Sequence, residues 1–165
     1  IVMGGKALGG RKITNEEAFK LAEQIILEHN LGCKVNKILL CGSARRGKKQ
    51  SGDLDFVFID RDGATKQWLS ETFGYKKNGK PQTTGLVEGV QVEFYEATPE
   101  TWGSSVLMWT GSMWTNIKLR KKAVKKGWKL SQHGLFDGDV NLAENKTEAE
   151  IFELLGATYL EPSKR

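Results

Sequence analysis

Residues 41–55 constrain the fold of this chain more than any other segment. They place a Gly-Ser turn and two arginines directly after one apolar run, and two carboxylates at the start of the next. The two apolar runs, residues 35–41 and 54–59, have the length and composition of buried strands. The segment therefore predicts two strands joined by a polar turn that opens with glycine.

The second of these strands has a two-residue alternation. Leu54, Phe56 and Phe58 point to one face, and Asp53 and Asp55 point to the other. The apolar face is expected to pack on helices, and the carboxylates are expected on an open face. Two neighbouring carboxylates repel each other, so this arrangement favours a bound cation. Oxygen ligands select a hard ion, which predicts Mg²⁺ or Mn²⁺.

A third strand is predicted over residues 86–96, with Gly89 interpreted as a bulge. Glu93 alternates with apolar neighbours, so it is expected on the same sheet face as Asp53 and Asp55. Three converging carboxylates are enough for two metal ions about 3.5–4 Å apart, the arrangement used for in-line phosphoryl transfer. Asp53, Asp55 and Glu93 are thus the candidate catalytic and metal-binding residues.

The Gly-Ser turn is a candidate triphosphate site. Gly42 allows a close backbone approach, Ser43 adds a hydroxyl, and Arg46 can bind a phosphate in a bidentate manner. Ser51 and Gly52 are candidate additional donors. The turn followed by Gly-Asp-x-Asp within the same segment indicates nucleotidyl transfer. The alternative is a charged loop between two strands.

Helices are predicted over residues 14–30, 65–73, 100–109 and, after a turn at 110–112, up to about residue 126, with a last one beginning after Thr147. Thr14 and Glu17 have the spacing of a capping box. Pro99 is the candidate domain boundary. His29 is predicted to be a surface residue at a helix end. Four tryptophans are predicted to pack in the core: Trp68, Trp102, Trp114 and Trp128.

Charge is concentrated in one segment of a chain whose net charge is +5. Between Gly111 and Leu130 the sequence has seven basic residues and no acidic one. Such a patch fits a nucleic-acid backbone, although a solvated helix face is the simpler alternative. With no membrane-length apolar run, no signal peptide and only two cysteines, the chain is expected to act inside a cell.

These motifs resemble the signature of the family X DNA polymerases, typified by DNA polymerase beta, within the nucleotidyltransferase superfamily. The resemblance runs from about residue 11 to residue 162. It implies an α+β fold. A nucleotidyltransferase palm, with a mixed or antiparallel sheet and helices on one face, would occupy residues 1–99. A small C-terminal α/β lobe that binds the nascent base pair would occupy residues 100–165.

The resemblance also suggests roles for further residues. Lys12 matches a position near the triphosphate. Trp109 and Gly111 belong to the turn against the sugar of the incoming nucleotide, and Asn116 matches a contact to the base edge. Arg120 matches a template contact, and the charge pattern adds further candidate DNA-binding residues: Lys118, Lys121 and Lys122.

The function implied is DNA-directed DNA synthesis from dNTPs in short-gap repair, with two Mg²⁺ or Mn²⁺ ions. The expected partners are gapped or primer–template DNA and a DNA ligase, and the chain is expected to be a monomer. Neither the lyase domain nor the helix-hairpin-helix domain of larger members is expected. The chain would then resemble a minimal viral-type member.

Some residues depart from the family pattern. Glu93 replaces the usual aspartate, which shifts the carboxylate by about 1.5 Å. Trp109 follows Met108 where tyrosine and phenylalanine are usual, and a tryptophan there is typical of the branch that discriminates poorly between sugars. Two alternatives therefore stay open: a template-independent or ribonucleotide-tolerant transferase, and a catalytically silent nucleic-acid-binding module.

Overall fold

The computed structural model describes residues 10–74 and 82–165. The chain has an α+β fold and divides into two compact units, Ile1–Glu96 and Ala97–Arg165. In the described ranges, no helix combines the length and the apolar character that crossing a membrane requires.

The first unit contains β1 (Ile13–Thr14), α1 (Asn15–Gly32), β2 (Lys37–Leu40), α2 (Gly42–Arg45), β3 (Gln50–Ser51), β4 (Asp53–Ile59), α3 (Ala64–Phe73), β5 (Gln82–Val87) and β6 (Val90–Ala97). It is built around a four-stranded sheet with the order β2-β4-β6-β5 and a separate two-stranded sheet of β1 and β3. Pairing of β2 with β4, and of β5 with β6, is antiparallel.

The core of this unit lies between the sheet and helices α1 and α3. Phe56 of β4 stacks on Phe94 of β6 with ring centroids 5.1 Å apart, and Trp68 of α3 meets Phe94 edge-on. Leu54, Phe56 and Phe58 are buried in this core, as their alternation predicts. The opposite face is not open along its whole length, because Val57 and Ile59 are buried as well.

Helix α1 begins where the sequence predicts. Thr14 is its N-cap and accepts a hydrogen bond from the Glu17 N–H at 3.2 Å. Only this half of the predicted capping box forms, because the Glu17 carboxylate binds the Arg11 guanidinium instead, at 3.1 Å. Arg11 thereby joins the start of α1 to the β5–β6 turn, where its Nε donates to the Glu88 carbonyl.

The prediction of one strand over residues 86–96 is wrong. Val87 and Val90 are paired across a two-residue hairpin turn, Glu88 and Gly89, whose φ angles are +51° and +77°. Two successive positive φ angles match the right-handed twist of paired strands, so the chain reverses here rather than bulging. Glu93 lies within β6 and keeps its predicted alternation.

The surface position predicted for His29 is also wrong. The side chain is fully buried between α1 and α3, where Nε2 lies 2.8 Å from the Thr65 hydroxyl. Its ring meets Trp68 edge-on at 5.4 Å. His29 is therefore a satisfied core histidine that joins the two helices.

The second unit contains α4 (Trp102–Thr110), α5 (Met113–Lys125), β7 (Lys129–Ser131), β8 (Gly134–Asp137), β9 (Val140–Asn141), α6 (Glu148–Leu154) and a 3₁₀ turn (Pro162–Lys164). Its three helices pack on a three-stranded sheet of order β7-β8-β9. Ser112 caps α5, and Thr147 with Glu150 forms the predicted capping box of α6. Trp114 is 66% exposed, so the core position predicted for it is wrong.

Candidate active site

Three carboxylates converge on one face of the sheet in the first unit. Adjacent strands β4 and β6 carry Asp53, Asp55 and Glu93, and each residue offers an oxygen within 4.8 Å of the other two. All three side chains are partly buried. A set of three carboxylate oxygens at this separation could hold a divalent metal ion, since hard cations prefer such ligands.

Burial and the neighbouring negative charges raise the pKa of the two aspartates. Burial, followed by the charges of Asp53 and Glu93, raises the pKa of Asp55 to about 8, although the Arg46 guanidinium opposes this increase. Burial and then the charge of Glu93 raise the pKa of Asp53. Without a cation, the cluster therefore favours retaining a proton, and a bound cation would replace it.

Both carboxylate oxygens of Glu93 accept hydrogen bonds from residues of its own strand, β6. Gln91 Nε2 donates to Oε1 at 2.9 Å, and the Tyr95 hydroxyl donates to Oε2. Burial, followed by the hydrogen bond to Glu93, raises the pKa of Tyr95, so the phenol keeps its proton and stays a donor. Both donors are neutral, so neither forms an ion pair with Glu93. The two-residue alternation puts both residues on the face of Glu93, but no sequence motif singled them out as site residues.

The Gly-Ser turn lies directly against the carboxylates. Gly42 has φ +64°, and a β-carbon there would overlap the Asp55 side chain. The Cys41 N–H donates to the Asp55 carbonyl at 2.7 Å, which ties the end of β2 to β4. Arg46, two positions after Ala44 at the end of the short helix α2, is partly buried and close enough for its charge to act on Asp55.

Four further candidate residues meet at the two-stranded sheet. Ile13 pairs with Ser51, and this register puts Lys12 beside Gly52. The Ser43 hydroxyl donates to the buried Ser51 hydroxyl at 2.9 Å. These contacts form a row of neighbouring residues: Ser43, Ser51, Gly52 and Lys12. Gly52 and Lys12, at its far end, are exposed.

The remaining candidates lie in the second unit. Trp109 is partly buried near the end of α4, and Gly111 ends that helix with φ +69°. Asn116 of α5 donates its side-chain amide to the Met108 carbonyl at 2.9 Å, which joins α5 to α4. Its amide nitrogen is therefore already bonded within the lobe, whereas its Oδ1 is buried without a hydrogen-bond partner in the described part of the chain.

The basic residues of α5 are exposed, whereas Thr115, Leu119 and Ala123 bury the other side of this helix. The exposed set is Lys118, Arg120, Lys121, Lys122 and Lys125. With no acidic residue in the segment, the outer surface of α5 is strongly positive and suited to a polyanion.

Comparisons with known proteins cover both units. The family model described as DNA polymerase beta palm matches residues 12–106, and that described as DNA polymerase beta thumb matches residues 105–165. Together the two matches include every candidate residue named above.

Several curated polymerases are similar in sequence. The repair DNA polymerase X of African swine fever virus is 28% identical, over 94% of this chain and 96% of its own. DNA polymerase lambda of Arabidopsis thaliana is 25% identical over 78% of this chain, which corresponds to 31% of that larger protein. DNA polymerase IV of Saccharomyces cerevisiae is 39% identical over 46% of this chain and 13% of its own.

Proposed function

The chain belongs to the DNA polymerase beta family, and on that premise we propose that it is a DNA-directed DNA polymerase for short-gap repair. It transfers nucleotides from dNTPs to the 3′-hydroxyl of a primer. The observation that carries this proposal is the convergence of Asp53, Asp55 and Glu93 directly against Gly42, because one small region then joins a cation site to an anion site.

Asp53 and Asp55 would hold two divalent ions, Mg²⁺ or Mn²⁺, and Glu93 would hold the ion at the primer end. The donor set fits such ions, since it consists of carboxylates alone and their mutual repulsion is relieved by cations. When bound, the ions would make the primer hydroxyl more acidic and neutralise the triphosphate. Gln91 and Tyr95 orient Glu93 for this role through their hydrogen bonds to its two oxygens.

The triphosphate is proposed to bind along the turn that begins at Gly42. The missing side chain at Gly42 leaves room for the Asp55 carboxylate beside the turn, and Arg46 supplies a positive charge there. Ser43, Ser51 and Gly52 offer hydroxyl and backbone donors, and Lys12 extends the positive charge to the exposed end of this row.

The second unit is proposed to bind the nascent base pair and the DNA backbone. Trp109 and Gly111 would contact the sugar of the incoming nucleotide, and Asn116 would accept from a base edge through Oδ1. The exposed cations of α5, among them Arg120 and Lys121, would bind phosphates, so affinity should fall steeply with salt. We assign residues 1–99 to the palm and residues 100–165 to this thumb lobe.

Filling a gap leaves a nick, so a DNA ligase is the class of enzyme that must act on the product. We propose that the polymerase itself acts as a monomer.

Primer extension on one-nucleotide gapped DNA tests the proposal. Asp53→Asn and Asp55→Asn should each lower the rate by at least about 100-fold with either Mg²⁺ or Mn²⁺. The matched control is Glu96→Gln on the neighbouring strand β6, because the Glu96 carboxylate pairs with Lys66 rather than with the cluster. If either aspartate variant extends primers as fast as the unchanged protein, the proposed mechanism is wrong.

A template-independent or ribonucleotide-tolerant transferase is the second candidate, and Trp109 is the residue that favours it. The indole stands where a smaller ring is usual, next to Gly111 and the proposed sugar position. Extension of single-stranded and gapped DNA with each dNTP and each rNTP separates the two functions. Strict copying with deoxynucleotides alone would eliminate the second.

A further inference from the structure

Trp114 is the one tryptophan of this chain with a largely exposed side chain. The other four, Trp68, Trp102, Trp109 and Trp128, are partly buried, whereas Trp114 is 66% exposed. The residue follows the capped first position of α5, where Ser112 accepts a hydrogen bond from the Thr115 N–H. The indole is therefore presented by a rigid helix end rather than by a loop.

Lysines continue the line that Trp114 begins. Lys118, Lys121 and Lys125 follow it at 4, 7 and 11 positions, which places all four side chains on one face of the helix. The lysines are exposed, and the buried residues Thr115, Leu119 and Ala123 lie on the opposite face. Along the helix axis the line is about 16 Å long, comparable to about five stacked nucleotides of one strand.

We propose that Trp114 is a stacking platform for an unpaired base of a DNA strand whose phosphates follow the three lysines. An indole face beside a row of cations is the combination that binds single-stranded nucleic acid, because bases stack on the ring while phosphates pair with the charges. A paired base within a duplex is covered on both faces by its neighbours. The Trp114 ring therefore needs a base that lies outside the duplex. In choosing DNA as the ligand, this inference rests on the proposed function.

The charge of the segment argues against a different occupant. A basic protein surface would be repelled by the three lysines, and α5 carries no acidic residue that could compensate. A hydrophobic partner would leave the lysines without counter-charges. A DNA strand can stack a base on the ring and pair its phosphates with the lysines. The single-stranded part of the template is expected to supply that base.

Equilibrium binding without metal or dNTP tests the platform apart from catalysis. The probe is a fluorescein-labelled primer–template with a single-stranded template extension, and the readout is anisotropy at fixed salt. Trp114→Ala should weaken binding by about 5- to 150-fold, the loss expected for one stacked base. Trp114→Phe should retain most of the affinity. Iodide should quench Trp114 in the free protein, and bound DNA should protect it.

Two matched probes and one matched variant sharpen the result. On a blunt duplex, and on an extension built of abasic nucleotides that keep their phosphates, Trp114→Ala should bind as the unchanged protein does. Val124→Ala alters another exposed apolar residue of α5, on a different face, and should have no effect on any probe. Circular dichroism should show unchanged helix content in all three variants.

The outcomes separate this inference from the polymerase function. Equal weakening on blunt and extended DNA would overturn stacking on an unpaired base, and an unchanged affinity on every probe would overturn a DNA role for Trp114. If primers are extended but Trp114→Ala binds normally, only the platform fails. If no primer is extended but the base-dependent loss appears, the platform stands and the polymerase proposal fails.

Discussion

A side chain at Gly42 would occupy the same space as the Asp55 carboxylate. The turn that is proposed to hold the triphosphate and the strand that carries the acidic cluster are thus packed in direct contact. Because of this contact, a side chain added at Gly42 must also displace Asp55, a candidate metal ligand.

Gly42→Ala should therefore damage metal binding without touching a carboxylate. The new methyl group would push Asp55 out of the cluster, in addition to the strain of about 1–2 kcal/mol that a left-handed residue bears. Titration calorimetry with Mn²⁺ should show affinity at least about tenfold lower. Gly47→Ala is the control, because Gly47 also has positive φ but its β-carbon would meet nothing within 4 Å. Equal Mn²⁺ affinity in the two variants would contradict the contact.

Tyr95→Phe should weaken Mn²⁺ binding by about 10- to 100-fold, the usual effect of removing a hydrogen-bond partner of a metal ligand. The phenol donates to Glu93 Oε2. Without it the Glu93 side chain is free to rotate, and it has one more rotatable bond than an aspartate. Calorimetry of the protein without DNA measures this affinity. In a Glu93→Asp background the effect should largely disappear, because the shorter carboxylate no longer reaches the phenol. Tyr159→Phe, in the other unit, serves as control.

The acidic cluster could be predicted from the sequence because a two-residue alternation is a local property of strands. Asp53, Asp55 and Glu93 each sit among apolar residues that must face a core, which determines their own face. The caps at Thr14 and Thr147 were predictable for the same reason, since the contacts involved lie within four residues.

Three other features were predicted wrongly, each for a different reason. His29 is buried because α3 brings Thr65 and Trp68 against it. Trp114 is exposed because its neighbours Thr115 and Leu119 take the buried side of α5. The β5–β6 hairpin was missed since Glu88 is not a usual residue at a turn position with positive φ.

Arg165→Ala should destabilise the second unit by about 3–5 kcal/mol, the usual cost of breaking a buried ion pair by removing one of its members. The Arg165 side chain is fully buried, donates to Glu148 Oε1 at 2.6 Å and lies over the Phe152 and Tyr159 rings. Chemical denaturation followed by circular dichroism gives the free energy of unfolding. Lys164→Ala alters the exposed neighbouring cation and should change it by less than about 0.5 kcal/mol. A comparable loss in both variants would indicate a general end effect.

The stabilisation that a metal ion gives should grow with pH and level off above about 8, the raised pKa of Asp55. Because this pKa is higher in the folded than in the unfolded chain, the metal-free fold binds a proton that the unfolded chain has released. The contribution of Asp55 to metal-free stability therefore falls as pH rises from about 4 to about 8. A metal ion must displace this proton, so its apparent affinity should drop about tenfold for each pH unit below 8.

Thermal unfolding with and without Mg²⁺ at pH 6, 7, 8 and 9 measures the difference, since the rise in Tm follows ligand affinity. Asp55→Asn should flatten the decline in metal-free stability between pH 6 and 8. A metal-induced rise in Tm that stays constant from pH 6 to 9 would show that no such proton is displaced.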